Sequence, residues 1–195
     1  MLARVITIAK AAADLHDHVD ILVATEDTHI LAHCEQLGVE CIMTPAESPS
    51  GTDRCAQAIA LSDSSSDFIL NLQGDAPLTP PDFLVEMIGS FVKTPCDVVT
   101  PVTQLTWAEL DLLRSNKTST PFSGTTAVFN QQTGKAYWFS KNIIPAIRNE
   151  AVLRKTQEMS PVFRHIGLYG YSKSMLEHYQ KLSESTYEAL EGLEQ

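Results

Sequence analysis

The sequence predicts an α/β protein built on a doubly wound, mostly parallel sheet. Two short runs, residues 19–25 and 67–72, are apolar almost throughout, without the alternation of a strand that has one wet face. Such runs suit strands covered by helices on both sides. Helix-forming stretches with recognisable start and stop signals separate them, so strand and helix alternate along the first half of the chain.

The elements follow in order. Residues 2–15 read as an amphipathic helix, and residues 19–25 as the first strand. Asp27 or Thr28 can cap the next helix, which runs to about Leu37 and is stopped by Gly38. A short strand covers residues 40–43, and the turn at residues 49–54 leads into an Ala-rich helix that ends at Leu61. The strand at residues 67–72 runs into Gln73-Gly74-Asp75, and a further helix starts at Pro80-Pro81-Asp82 and ends near Thr94. Residues 97–102 read as another strand. The second half is less regular. Residues 125–130 and 135–139 make two strands around the turn at residues 131–134, residues 147–160 read as a charged loop, and residues 164–171 as one strand. Helical sequence occupies residues 174–182 and again 187 onward.

Bulk properties narrow the function. The chain has 195 residues, 44% hydrophobic and 19% charged, which suits one well-buried domain. A formal net charge of -10 argues against a nucleic-acid surface, yet leaves room for a nucleotide held by Mg²⁺ and a few local cations. Cys34, Cys41, Cys55 and Cys96 have no metal-ligand or redox spacing and read as reduced structural thiols. No run reaches membrane-spanning length and the N-terminus lacks a signal-peptide pattern, so a cytoplasmic location is expected.

Several stretches could carry chemistry. Asp75 follows a strand end beside Gly74, where ligands of open α/β sheets bind, and its carboxylate suits a Mg²⁺ ion shared with a substrate phosphate. The same residues also fit a plain turn. Ser50, Thr52 and Arg54 stand at a helix start, where free N–H groups and a guanidinium favour an anion; an ordinary cap with a surface Arg fits as well. Alternation would put His165, Gly167 and Tyr169 on one face of a strand, as the floor of a hydroxyl-rich site or as core residues. Lys141 follows a strand, where it could meet an acidic substrate or solvent. His29 and His33 share a helix face at a zinc-like spacing but have no evident third ligand.

Taken in order, residues 23–27, 50–54, 71–75, 139–141 with Ile144-Pro145, 165–171 and 188–195 resemble the 3-deoxy-manno-octulosonate cytidylyltransferase (CMP-Kdo synthetase) family over nearly the whole chain. The resemblance implies a fold of the nucleotide-diphospho-sugar transferase type. It also implies transfer of CMP from CTP to Kdo with release of pyrophosphate, for lipopolysaccharide biosynthesis, in a Mg²⁺-dependent homodimer. Carried over residue by residue, Asp75 is the metal ligand at the reacting phosphate, and Ser50, Thr52 and Arg54 bind the nucleotide. Gln73, Lys141, His165, Tyr169, Glu191, Glu194 and Gln195 are the sugar-binding candidates. Residues 1–105 would form the nucleotide and metal half of one domain, and residues 106–195 the sugar-binding and dimerisation half.

The chain departs from the family pattern in places. Residue 1 falls inside the helix that follows the family's first strand and basic loop, and residue 195 precedes its final strand, so impaired catalysis is expected. Ala76 stands where Glu is usual, Lys141 where Arg is commoner, and Ser123-Gly124-Thr125-Thr126 replaces an Asn-x-Val-Lys type of stretch. A CMP-sialic acid synthetase-like enzyme is the alternative within the same reaction class, and a non-catalytic sugar-acid-binding remnant the alternative outside it.

Overall fold

The computed structural model describes residues 1–16 and 18–193. The chain divides into two compact units, Met1–Thr100 with Leu168–Leu182, and Pro101–Gly167 with Ser183–Gln195.

The first unit carries the predicted alternation. Helix α1 (Leu2–Ala13) buries Val5, Ile6, Ile8 and Ala12. Strand β1 (Leu22–Thr25) pairs in parallel with β2 (Glu40–Met43), and helix α2 (Thr28–Leu37) connects them. Asp27 caps α2 by accepting the His29 N–H at 2.7 Å, and Gly38 ends it at φ 62°, a left-handed conformation that costs glycine little. Helix α3 (Gly51–Leu61) leads to β3 (Phe68–Asn71), followed by α4 (Pro81–Lys93) with proline in its first turn. Strand β4 is only Val98–Val99.

The second unit is a four-stranded antiparallel sheet in the order β5 (Val102–Thr106), β8 (Met159–His165), β6 (Thr126–Phe129), β7 (Ala136–Ser140). Helix α5 (Trp107–Lys117) follows β5 directly, opened by a capping box between Thr106 and Glu109. Leu105, Trp107, Leu110, Leu113 and Val162 form its core, with Leu110 fully buried. The chain returns to the first unit as β9 (Tyr169–Ser172) and α7 (Lys173–Tyr179). Strand β9 pairs antiparallel with β3 and β4, and its Tyr171 clusters with Leu176 of α7, Ile69 and Ala56.

The α/β class therefore holds, in a mixed sheet arrangement. Only β1 and β2 run parallel among the described residues, because strands of the second half meet through hairpins and long returns rather than helical crossovers. Three local expectations change. Residues 164–171 form two strands, β8 ending at His165 and β9 starting at Tyr169, in different sheets. Residues 97–102 divide likewise between β4 and β5. The charged stretch 147–160 contains helix α6 (Glu150–Thr156), held by Glu150 between Arg114 at 2.7 Å and Arg154 at 2.7 Å. Charge there signals an ion-pair network rather than a loop.

Candidate functional site

In the first unit the Ser50–Arg54 segment is the first turn of α3. Ser50 accepts the Asp53 N–H at 3.1 Å and donates to the Asp53 carboxylate at 2.7 Å, a local cap. Thr52 is buried beside the Tyr171 hydroxyl, 3.4 Å away. Arg54 reaches back across the helix start: its guanidinium pairs with Glu26 and donates to Thr44 Oγ1 at 2.7 Å. Arg54 also lines a cavity of about 720 Å³ together with Gly51, Gln73 and Gly74. The nucleotide candidate Arg54 and the strand-end candidate Gln73 thus share one wall, as the sequence order alone could not state.

Asp75 sits exposed on the turn after β3, closed by the Ala76 N–H donating to the Gln73 carbonyl at 3.1 Å. Among the described residues no group of three or more His, Cys, Asp or Glu side chains forms a ready-made metal cage. A single exposed carboxylate fits Mg²⁺, which keeps several waters and shares its coordination with substrate phosphates. Tyr169 stacks on Tyr171, ring centres 6.1 Å apart. Cys55, on the cavity wall, is pushed up to about 11 by burial, with the Arg54 charge acting in the opposite sense, so the thiol stays protonated at neutral pH.

In the second unit the charge of Lys141 acts on the buried ring of His165. His165 ends β8, 8% exposed, with its ring edge-on to Phe139 at 5.1 Å. Burial, and then the charge of Lys141, hold its imidazole down to about 4, so it is neutral at physiological pH. Glu191, the last residue of helix α8 (Thr186–Glu191), accepts the Lys141 backbone N–H at 2.5 Å and the Ser140 hydroxyl at 2.9 and 3.1 Å. Lys117, which the sequence reading passed over, donates to the Lys141 carbonyl at 2.5 Å. A cation closing a helix just before a Ser/Thr/Gly-rich loop is the signal that could have found it.

Comparison with known proteins identifies the family. A family model described as cytidylyltransferase matches residues 1–195. A 3-deoxy-manno-octulosonate cytidylyltransferase of Maricaulis maris (strain MCS10) is 35% identical over 196 residues, covering 100% of this chain and 72% of the relative. One from Acinetobacter baumannii (strain SDF) is 32% identical, covering 100% of this chain and 73% of its own. This chain belongs to the cytidylyltransferase family.

The solved structure of CMP:2-keto-3-deoxy-manno-octonic acid synthetase complexed with CTP matches 98% of this cytidylyltransferase and 72% of its own chain, with TM-score 0.78 at 26% identity. The sequence-predicted residues of the cytidylyltransferase fall into two sets. Ser50, Thr52, Arg54, Gln73, Asp75 and Tyr169 lie in the first unit, and Lys141, His165 and Glu191 in the second. His165 and Tyr169 belong to different strands, so no single strand face presents them together. Glu194 and Gln195 lie outside the described residues. No helix among the described residues is long and apolar enough to cross a membrane.

Proposed function

We propose that this cytidylyltransferase transfers CMP from CTP to Kdo, forming CMP-Kdo and releasing pyrophosphate. The observation that carries the reading is the fold it shares with a synthetase of that product bound to CTP, over 98% of the chain. In this reaction the anomeric hydroxyl of Kdo attacks the α-phosphorus of CTP, the bond to the β-phosphate oxygen breaks, and the hydroxyl proton leaves to solvent. The attacking group belongs to the substrate, so the protein has mainly to orient reactants and offset charge.

The residues fit those tasks. Asp75 would hold Mg²⁺, which when bound neutralises phosphate charge. The first-turn N–H groups of α3 and the guanidinium of Arg54 favour the triphosphate, with Ser50 and Thr52 shaping that turn. To meet a phosphate, Arg54 exchanges its bond to Glu26 for the ligand, which keeps the cation paired throughout. Lys141 attracts the sugar carboxylate and neutral His165 bonds a sugar hydroxyl, with Gln73 and Tyr169 as further sugar candidates. In this reading residues 1–105 serve nucleotide and metal and residues 106–195 serve the sugar and dimerisation. The homodimer, the cytoplasmic location and the role in lipopolysaccharide synthesis belong to the same proposal.

The test is Kdo-dependent pyrophosphate release from CTP and Mg²⁺, set beside N-acetylneuraminic acid as the competing sugar acid. Any turnover should depend on Kdo, and Asp75→Asn should lower it by on the order of 100-fold. A chain that binds neither CTP nor Kdo in titration calorimetry, or that turns over only the sialic acid, refutes the assignment.

A further inference from the structure

The backbone of Lys141 is gripped on both sides of its Cα by side chains of opposite charge. Its N–H donates to the Glu191 carboxylate at 2.5 Å, and its C=O accepts from the Lys117 ammonium at 2.5 Å. The Glu191 carboxylate faces the N–H end of the 140–141 peptide and the Lys117 ammonium the C=O end of the 141–142 peptide, each the dipole end that it stabilises, and hydrogen bonds to charged groups are stronger than neutral ones. The neighbouring groups are held too. The Asn142 N–H donates to Ser140 Oγ at 3.0 Å, and the Asn142 carbonyl accepts from Thr126 Oγ1 at 2.8 Å. The Ile144 N–H donates to Thr126 Oγ1 at 3.0 Å. Ser140 and Thr126 are buried.

The two charged residues are themselves anchored. Lys117 closes helix α5 and also binds the carbonyls of Pro121, Ser123 and Gly124, at 3.1, 2.5 and 3.0 Å, which ties the loop before β6 to the segment after β7. Glu191 closes α8, whose Tyr187 packs edge-on against Trp138 of β7, centres 5.3 Å apart. Two helix ends therefore converge on the backbone of one residue. Ordinary surface structure needs no such arrangement, whereas a side chain that must point in one direction does.

We propose that Lys117 and Glu191 are positioning residues that hold the two peptide groups flanking the Lys141 Cα and so fix the direction in which Lys141 presents its ammonium to the carboxylate of the sugar acid. This rests on the reading of Lys141 as a sugar-acid contact and adds residues that act through it. Lys117 is a helix-end lysine in sequence, and Glu191 acts here by holding backbone rather than by touching substrate.

A double-mutant cycle tests the proposal, with Kdo and CTP affinities measured separately by titration calorimetry. Glu191→Ala and Lys117→Met should each weaken Kdo binding about tenfold or more and leave CTP binding within about twofold, the loss expected from one charge-assisted hydrogen bond. Glu191→Gln, which keeps an acceptor for the Lys141 N–H, should recover most of the loss. In a Lys141→Met background neither clamp substitution should weaken Kdo binding further. An equal loss with and without Lys141, as expected if Glu191 touched the sugar or simply supported the fold, overturns the clamp while leaving Lys141 its role. Unchanged Kdo binding in Lys141→Met alone instead removes the reading of Lys141. A ligand-free measurement stands beside these: amide exchange at Lys141 and Asn142 should quicken about tenfold or more in Glu191→Ala and Lys117→Met, and unchanged exchange overturns the proposal.

Discussion

Replacing His165 with Gln should change how stability depends on pH. The imidazole is 8% exposed at the end of β8, and burial, aided by the nearby charge of Lys141, moves it from 6.5 down to about 4. A group that binds its proton less readily folded than unfolded favours the fold when neutral. That contribution is complete above about 6.5 and is lost as pH falls through about 4. At about 1.4 kcal/mol per tenfold change in proton affinity, the displacement corresponds to on the order of 3 kcal/mol between those limits. Urea unfolding of the wild type and of His165→Gln at pH 7.5, 6.0, 5.0 and 4.0 isolates the term, because carboxylates that titrate in the same window cancel in the difference. The wild type should lose stability relative to the variant by about that amount on going from pH 7.5 to 4.0, with equal denaturant slopes. A difference that stays constant across the window would mean that the imidazole is solvated or paired when protonated, and the burial argument would be refuted.

Two other substitutions test the packing and the ion pairs. Gly170 of β9 lies opposite Leu70 and Val99, and a Cβ there would come 2.1 Å from the Phe68 ring, which is stacked on Phe91 at 4.4 Å. Gly170→Ala should cost about 1–3 kcal/mol in thermal or urea unfolding, and Phe68→Leu in the same chain should recover part of it; no loss would mean the aromatic pair moves freely. Glu150 is held down to about 2, first by its hydrogen bonds from Arg114 and Arg154. Its folded value is depressed, so its contribution is present above about 4.5 and lost as pH falls toward 2. Glu150→Gln should therefore lower the melting temperature at pH 7 and make no difference near pH 2, and a deficit that persists in acid would contradict the ion-pair account.

Much of the first unit was legible because its signals are local. The Asp27 cap and Gly38 stop of α2, the Ser50 cap of α3 and the proline start of α4 all act within a turn of the residue that carries them. The hairpin of β6 and β7 was equally plain, since Asn130 accepts the N–H groups of Gln132 and Thr133 and Gly134 takes φ 74° within the turn itself. The motifs that identify the family were also carried by short runs of sequence, and the matches over residues 1–195 agree with them.

The candidate site was legible as a set of residues but not as an arrangement. Alternation along residues 164–171 states which side chains share a face if the strand is continuous; it says nothing of which strands lie beside it. Partners decided otherwise, with β8 pairing β5 and β6 and β9 pairing β3 and β4, so His165 and Tyr169 part company. Helix α6 escaped notice for a related reason. At seven residues it is too short to form on its own, and Glu150 finds Arg114 only through a contact between residues far apart in the chain.

The sequence by itself determined the α/β class and the helix boundaries in the first unit, and named the candidate residues of the site, because propensity, capping and periodicity act over a few residues. Only the tertiary structure decided that Arg54 and Gln73 line one cavity, that Lys141 carries its charge beside a neutral His165, and that Lys117 and Glu191 close on the backbone of the same residue. Those are contacts between elements. Their energies depend on distance and burial in the folded chain, which short-range sequence pattern does not encode.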